Sequence, residues 1–115
     1  MKLVIAIIQP TKLEAVREAL DKIDVGRITV CDAQTFGRRR ELTEVFRGRK
    51  STIAPLRKVA LEIIVNDDFL DRTIETIAGT ARTGPEGTLG DGKIFVLPAD
   101  QAIQIGDAAR GPGAV

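Results

Sequence analysis

The run Gly90-Asp91-Gly92-Lys93-Ile94-Phe95-Val96 holds the residue types whose spacing most readily does chemistry. Two glycines flank a carboxylate, a lysine follows, and an apolar strand-like run begins at once. Glycine lets a backbone approach a ligand with no side chain in the way. Successive free N–H groups in a tight turn form an anion-binding nest, and the Lys93 ammonium adds a full positive charge beside it. That combination suits a phosphate. The G-x-x-x-x-G-K-[ST] spacing of a P-loop is absent, and the turn leads into a strand rather than a helix. A β-turn with a solvated lysine is the alternative reading, because Gly/Asp turns before strands are common.

Charge is concentrated elsewhere. Residues 37–58 carry eight basic side chains, Arg38, Arg39, Arg40, Arg47, Arg49, Lys50, Arg57 and Lys58, opposed only by Glu41 and Glu44. The segment is therefore +6 in a chain of net charge +1, which leaves −5 for the remainder. A solvated charge run is one reading. A phosphate-bearing ligand at the base of the segment, or an acidic partner at its tip, are the others. Nucleic acid held this way would bind nonspecifically and with strong salt dependence, so none is expected as a partner.

Composition removes whole classes of chemistry. The chain has no His and one Cys, Cys31. Most zinc sites, cysteine– or serine–histidine catalysis and histidine acid–base chemistry are thereby excluded. With no Trp or Tyr and four Phe, base-stacking platforms for single-stranded nucleic acid are poorly supported. At 115 residues, 43% hydrophobic and 29% charged, the chain reads as one globular domain. Pro10 ends the apolar start, which suits a buried first strand better than a signal peptide. With no disulfide partner for Cys31, a reducing cytoplasm is expected.

The elements that position these residues follow from periodicity. Residues 2–9 read as a buried strand. Thr11-Lys12-Leu13-Glu14 has capping-box spacing, and Leu13, Val16, Ala19, Leu20 and Ile23 then recur at helical intervals until Asp24 and Gly26. Residues 27–36 read as a second, half-buried strand through Ile28, Val30, Ala33 and Phe36. Residues 37–56 show no period and read as a long loop, a feature usually tied to function. Residues 57–65 form a strand with Val59, Leu61 and Ile63 on one face. Asn66-Asp67-Asp68 starts a helix with Phe69, Leu70, Ile74, Ile77, Ala78 and Ala81 as its apolar stripe. A second Gly-rich loop spans 83–92, residues 93–97 form the last core strand, and 106–115 read as a mobile tail. The order βαββαβ predicts an α+β, ferredoxin-like sandwich: a four-stranded antiparallel sheet with both helices on one face. Strands apolar on both faces, at 3–8 and 61–65, predict that a second copy covers the open face.

The chain resembles the P-II signal-transduction proteins, trimeric sensors of nitrogen and carbon status, from residue 1 to about 105. The likeness is carried by Ile7-Ile8-x-Pro10-x-Lys12-Leu13, Phe36-Gly37-Arg38, Thr43-Glu44-x-Phe46-Arg47-Gly48, Lys58-Val59-x-Leu61-Glu62, Ala81-Arg82-Thr83-Gly84 and Gly90 to Val96. The resemblance implies a homotrimer with ADP, AMP or ATP in the clefts between subunits. The long loop (the T-loop, 37–56) would dock on a target, a membrane transporter, an enzyme or a regulator. It implies a cytoplasmic protein, with recruitment to a membrane transporter as one mode of action. Thr29 and Ile64 would contact adenine. Gly37 and Arg38 would face the phosphates, which Gly90, Gly92 and Lys93 cradle. Ile7, Phe36, Glu62 and Asp91 complete the nucleotide site implied by the matched motifs. Lys58 corresponds to a lysine that faces 2-oxoglutarate. The partner-facing loop would present Arg39, Arg40, Arg47, Arg49, Lys50 and Ser51.

Departures from the family pattern carry information too. Ser51 stands where many relatives have a nucleotidylated tyrosine. Arg39 replaces a glutamine that helps bind Mg and 2-oxoglutarate. A guanidinium has no lone pair for a cation, so Arg39 argues against Mg-dependent 2-oxoglutarate binding and leaves Mg open. Gln104 and Gly106 replace two phosphate-facing arginines. Charge-assisted bonds contribute about 1.5–3 kcal/mol each, so ADP or AMP is expected to bind at least as well as ATP. The 83–92 loop (the B-loop) is enlarged, with Pro85-Glu86-Gly87-Thr88-Leu89 in place of a dipeptide.

Three functions are thus weighed: a non-enzymatic adenylate sensor; a slow phosphatase in which Asp91 or Glu62 orients water without an acid–base partner; and an interaction module whose basic loop binds an acidic protein. A carboxysome- or bicarbonate-transport-associated variant, sensing adenylates and bicarbonate, is the alternative within the family. Cys31 reads as a small strand residue before a redox switch, and Glu62 as an ion-pair partner as readily as a ligand contact.

Overall fold

The computed structural model of the chain describes residues 1–38 and 53–115. Strand β1, Lys2–Ile8, lies at the centre of the sheet. It pairs antiparallel with β3, Ile53–Val65, on one side and with β4, Gly92–Pro98, on the other. Strand β2, Thr29–Arg38, pairs antiparallel with β3 and completes the order β2-β3-β1-β4. Helices α1, Leu13–Lys22, and α2, Asp67–Ala81, cover one face. This is the α+β, ferredoxin-like arrangement expected from the element order.

The core follows from strand alternation. Val4, Ala6 and Ile8 of β1 and Val59, Leu61, Ile63 and Val65 of β3 all point to the helix side and are buried. Val16 and Leu20 of α1 and Ile77 and Ala81 of α2 meet them at helical spacing. The α2 stripe contains a residue that apolar periodicity does not pick out. Thr73 is fully buried, and its hydroxyl donates to the Phe69 carbonyl at 2.7 Å, so the polar atom is satisfied one turn back along its own helix.

Several local expectations are corrected. The capping box at Thr11–Glu14 does not form. Gln9 caps a 3-10 turn over Pro10–Lys12, Thr11 lies inside that turn with no side-chain cap bond, and Glu14 accepts from Arg17 instead. Of the two residues expected to end the first helix, Asp24 closes it just beyond Lys22: Asp24 takes φ 64°, its N–H donates to the Asp21 carbonyl, and Val25 N–H donates to the Leu20 carbonyl. Those two bonds make a Schellman motif with an aspartate at the left-handed position. The loop expected over 37–56 is shorter at both ends, because Gly37 and Arg38 pair with Ala54 and Ile53. Its interior, with Arg39, Arg40, Arg47, Arg49, Lys50 and Ser51, lies outside the described residues.

Residues 106–115, expected as a mobile tail, carry local structure. Ile103 and Arg110 form a bridge, Gln104 N–H donates to the Ala109 carbonyl, and Gly111–Ala114 makes a 3-10 turn. The Asn66 amide donates to the Pro112 carbonyl at 3.3 Å. Among the described residues no helix is long and apolar enough to cross a membrane.

The Asp24 geometry generates a stability prediction. A left-handed conformation costs an L-residue about 1 kcal/mol or more, a cost glycine escapes. Asp24→Gly is expected to raise stability by roughly 0.5–1 kcal/mol in urea denaturation, after the added flexibility of the unfolded chain is offset. A loss of stability would contradict the capping geometry.

Candidate functional site

Register decides which side chains share the open face of the sheet, because directly opposed residues point the same way. Ile5 lies opposite Glu62 and Phe95, Ile7 opposite Ala60 and Lys93, and Glu62 opposite Thr29. Lys58 is two residues from Ala60, and Ile64 two from Glu62. Six of the residues singled out from sequence, Ile7, Thr29, Lys58, Glu62, Ile64 and Lys93, therefore stand on one face. Phe36 does not join them. Its alternation places it with Val30 on the other face, where it is exposed. Thr35 takes the open side, as its even spacing from Thr29 requires. Gly37 and Arg38 are the last pairs of the β2–β3 ladder.

At one end of this face is a cleft of about 340 Å³ lined by Ile7, Thr35, Leu56, Lys58, Gly90, Gly92, Lys93 and Phe95. Its floor is apolar strand and its rim carries two lysines and glycine backbone. Gly92 begins β4 opposite Ile8 and has φ 121°, a value L side chains rarely adopt. A β-carbon here would lie 1.8 Å from the Ile7 carbonyl oxygen. The loop can press onto the central strand only because residue 92 is glycine.

The loop before Gly92 is organised by Asp91. Its Oδ2 accepts from the backbone N–H of Thr83 at 2.9 Å and of Thr88 at 2.8 Å. Its Oδ1 accepts from the Thr83 hydroxyl at 2.6 Å, the Thr88 hydroxyl at 3.0 Å and the Gln9 amide at 3.2 Å. Thr88 and Asp91 thus form a capping box around the 3-10 turn Leu89–Asp91. These donors, the Thr83 backbone N–H foremost, hold the Asp91 carboxyl well below the usual carboxylate range. The carboxylate is turned into its own loop, which leaves the lysines to face the cleft. The Gly90 carbonyl accepts from both the Lys58 ammonium and the Gln9 amide.

Elsewhere on the face, Cys31 donates weakly to Glu62 at 3.7 Å, which fits a small strand residue. Among the described residues, no group of three or more His, Cys, Asp or Glu is arranged to hold a metal ion. Gln9, Thr83 and Thr88 carry no site role in the sequence reading. The Thr88-x-x-Asp91 spacing was the available signal for two members of the network. Gln9 gives no such signal, because its partners lie about eighty residues away.

A carboxyl whose folded-state value is depressed adds stability that is fully present above its ordinary value near 3.9. That stability is lost as pH falls toward the folded-state value. Melting of the parent is therefore expected to weaken below pH ~4 more steeply than melting of Asp91→Asn. An asparagine can keep its oxygen toward the two backbone N–H groups but cannot titrate. Parallel pH profiles would contradict the role assigned to Asp91.

The chain matches the family model described as nitrogen regulatory protein P-II over residues 1–108. It is 43% identical over its whole length to nitrogen regulatory protein GlnK1 of Methanosarcina mazei, covering 97% of that protein. It is 44% identical over 105 residues to nitrogen regulatory protein P-II of Rhizobium etli and to nitrogen regulatory protein P-II 1 of Escherichia coli, covering 91% of each. These relatives are named as regulatory proteins, and the glycine-flanked Asp91 turn lies inside every one of the matched spans. The chain belongs to the P-II family of nitrogen regulatory, signal-transducing proteins.

Proposed function

We propose that this P-II protein is a non-enzymatic sensor of adenine nucleotides that acts as a homotrimer and controls a target protein through the segment between β2 and β3. The observation that carries the reading is the cleft beside Gly90–Lys93. A backbone turn fixed by the Asp91 network meets Lys58 and Lys93 over an apolar strand floor. The turn and lysines suit phosphates, and the apolar strip toward Ile64 suits a base.

A trimer accounts for the rest of the open face. Phe95 is 50% exposed, Leu97 42% and Ile64 37%, and a contiguous apolar surface of this kind is the mark of an interface. Sites that lie between subunits would be completed by residues of a second copy. The non-enzymatic reading draws support from Asp91, whose oxygens are occupied by hydrogen bonds, and from Glu62, whose hydrogen-bond neighbour is the weak thiol donor of Cys31. With β2 and β3 framing the basic segment, ligand-dependent order at the strand ends could reach a target only as far as the ligand prefers one loop state.

Calorimetry with ATP, ADP and AMP, each with and without Mg and 2-oxoglutarate, tests the reading. ADP and AMP are expected to bind at least as tightly as ATP, with no gain from 2-oxoglutarate. Absence of binding by all three adenylates would overturn it. Bicarbonate as a further titrant distinguishes the variant that also senses that ion. Lys93→Ala is expected to weaken ADP by about tenfold to a hundredfold, the loss of one charge-assisted contact. Phe95→Asp is expected to convert the trimer to monomer by light scattering, and an unchanged mass would contradict the proposed interface.

A further inference from the structure

The geometry points to Gln9 as a positioning residue that tethers the phosphate cradle to the end of the central strand, so that the turn is set before any ligand arrives. This inference rests on the nucleotide reading of the cleft and adds to it a residue that touches no ligand.

Three observations carry it. The first is the aim of the side chain. One amide nitrogen donates both to the Gly90 carbonyl and to Asp91 Oδ1, each at 3.2 Å. It therefore grips the turn at its backbone and at the carboxylate that organises it. The second is that Gln9 is itself held. Ile8 before it is locked in the β1–β4 ladder. Pro10 after it confines its backbone to the extended region, where it sits at φ −69° and ψ 138°. Its carbonyl accepts from Lys12 N–H at 3.0 Å. A side chain on so fixed a backbone loses little freedom in making its contacts.

The third observation is what the loop has without Gln9. The remaining Asp91 bonds come from Thr83 and Thr88, which belong to the loop itself. They give the loop a shape but not a place. Its place on the sheet is fixed by the close approach of Gly92 to Ile7 and by two side chains that reach the Gly90 carbonyl, Lys58 and Gln9. Lys58 also faces the cleft, so a bound anion competes for its ammonium. Gln9 carries no charge and has no such competitor. It is the tether that persists when the site fills.

The test separates positioning from general structure by comparing ADP with adenosine, which lacks the phosphates. In Gln9→Met, a similar volume with no donor, ADP is expected to weaken about tenfold while adenosine affinity stays within twofold of the parent. Gln9→Asn keeps the amide but is one methylene short of the loop. It is expected to show the same pattern, and it serves if the Met variant folds poorly. Equal loss for both ligands, or no loss for ADP in a parent that binds it, overturns the tether. A parent that binds neither ligand overturns instead the nucleotide reading on which the tether rests.

Discussion

Strand β1 pairs along its whole length with both neighbours, and at its end the backbone of Gly92 is pressed against the Ile7 carbonyl so closely that no β-carbon fits. Much of the site depends on that contact. It brings a loop from the far end of the chain onto the central strand and aligns Gly90 and Lys93 with Lys58 across one cleft. A substituted residue 92 would have to lift the loop from the sheet or shift the strand beneath it. Either change would separate the backbone turn from the lysines. The apolar floor would survive while the anion-binding rim was lost.

The second constraint is electrostatic. A loop with two glycines at its tip has many conformations, and an anion site needs one of them. Asp91 supplies that selection from within, gathering two backbone N–H groups and two hydroxyls onto one carboxylate. The same arrangement places a negative charge beside a site read as binding phosphate. The conflict is eased because the charge is solvated by its own donors and Asp91 is not among the residues that line the cleft. The cations that face the cleft, Lys58 and Lys93, are on strands and not on the loop.

Much of this was legible in the sequence, for physical reasons. The βαββαβ order rests on periods of 2 and 3.6 that the core residues obey, and Val59, Leu61 and Ile63 face inward as alternation requires. Phe36 is singled out by its motif alone, and parity with Thr29 places its side chain on the opposite face of the sheet. Thr73 escaped because its polarity hides a core position, satisfied by a carbonyl four residues back. Thr11-x-x-Glu14 looked like a cap because local spacing cannot register that Pro10 starts a 3-10 turn one step earlier. The tether from Gln9 was invisible because its two contacts exist only once β1 and β4 are paired.

The central claim is that Gly90–Lys93 is a preset phosphate cradle, and amide NMR during an ADP titration tests it most directly. The account predicts that the largest shifts fall on the N–H groups of Gly90, Gly92 and Lys93. An adenosine titration should leave those three signals nearly unmoved while shifting residues near Ile64. Shifts of equal size at the cradle with adenosine, or none there with ADP, would contradict it.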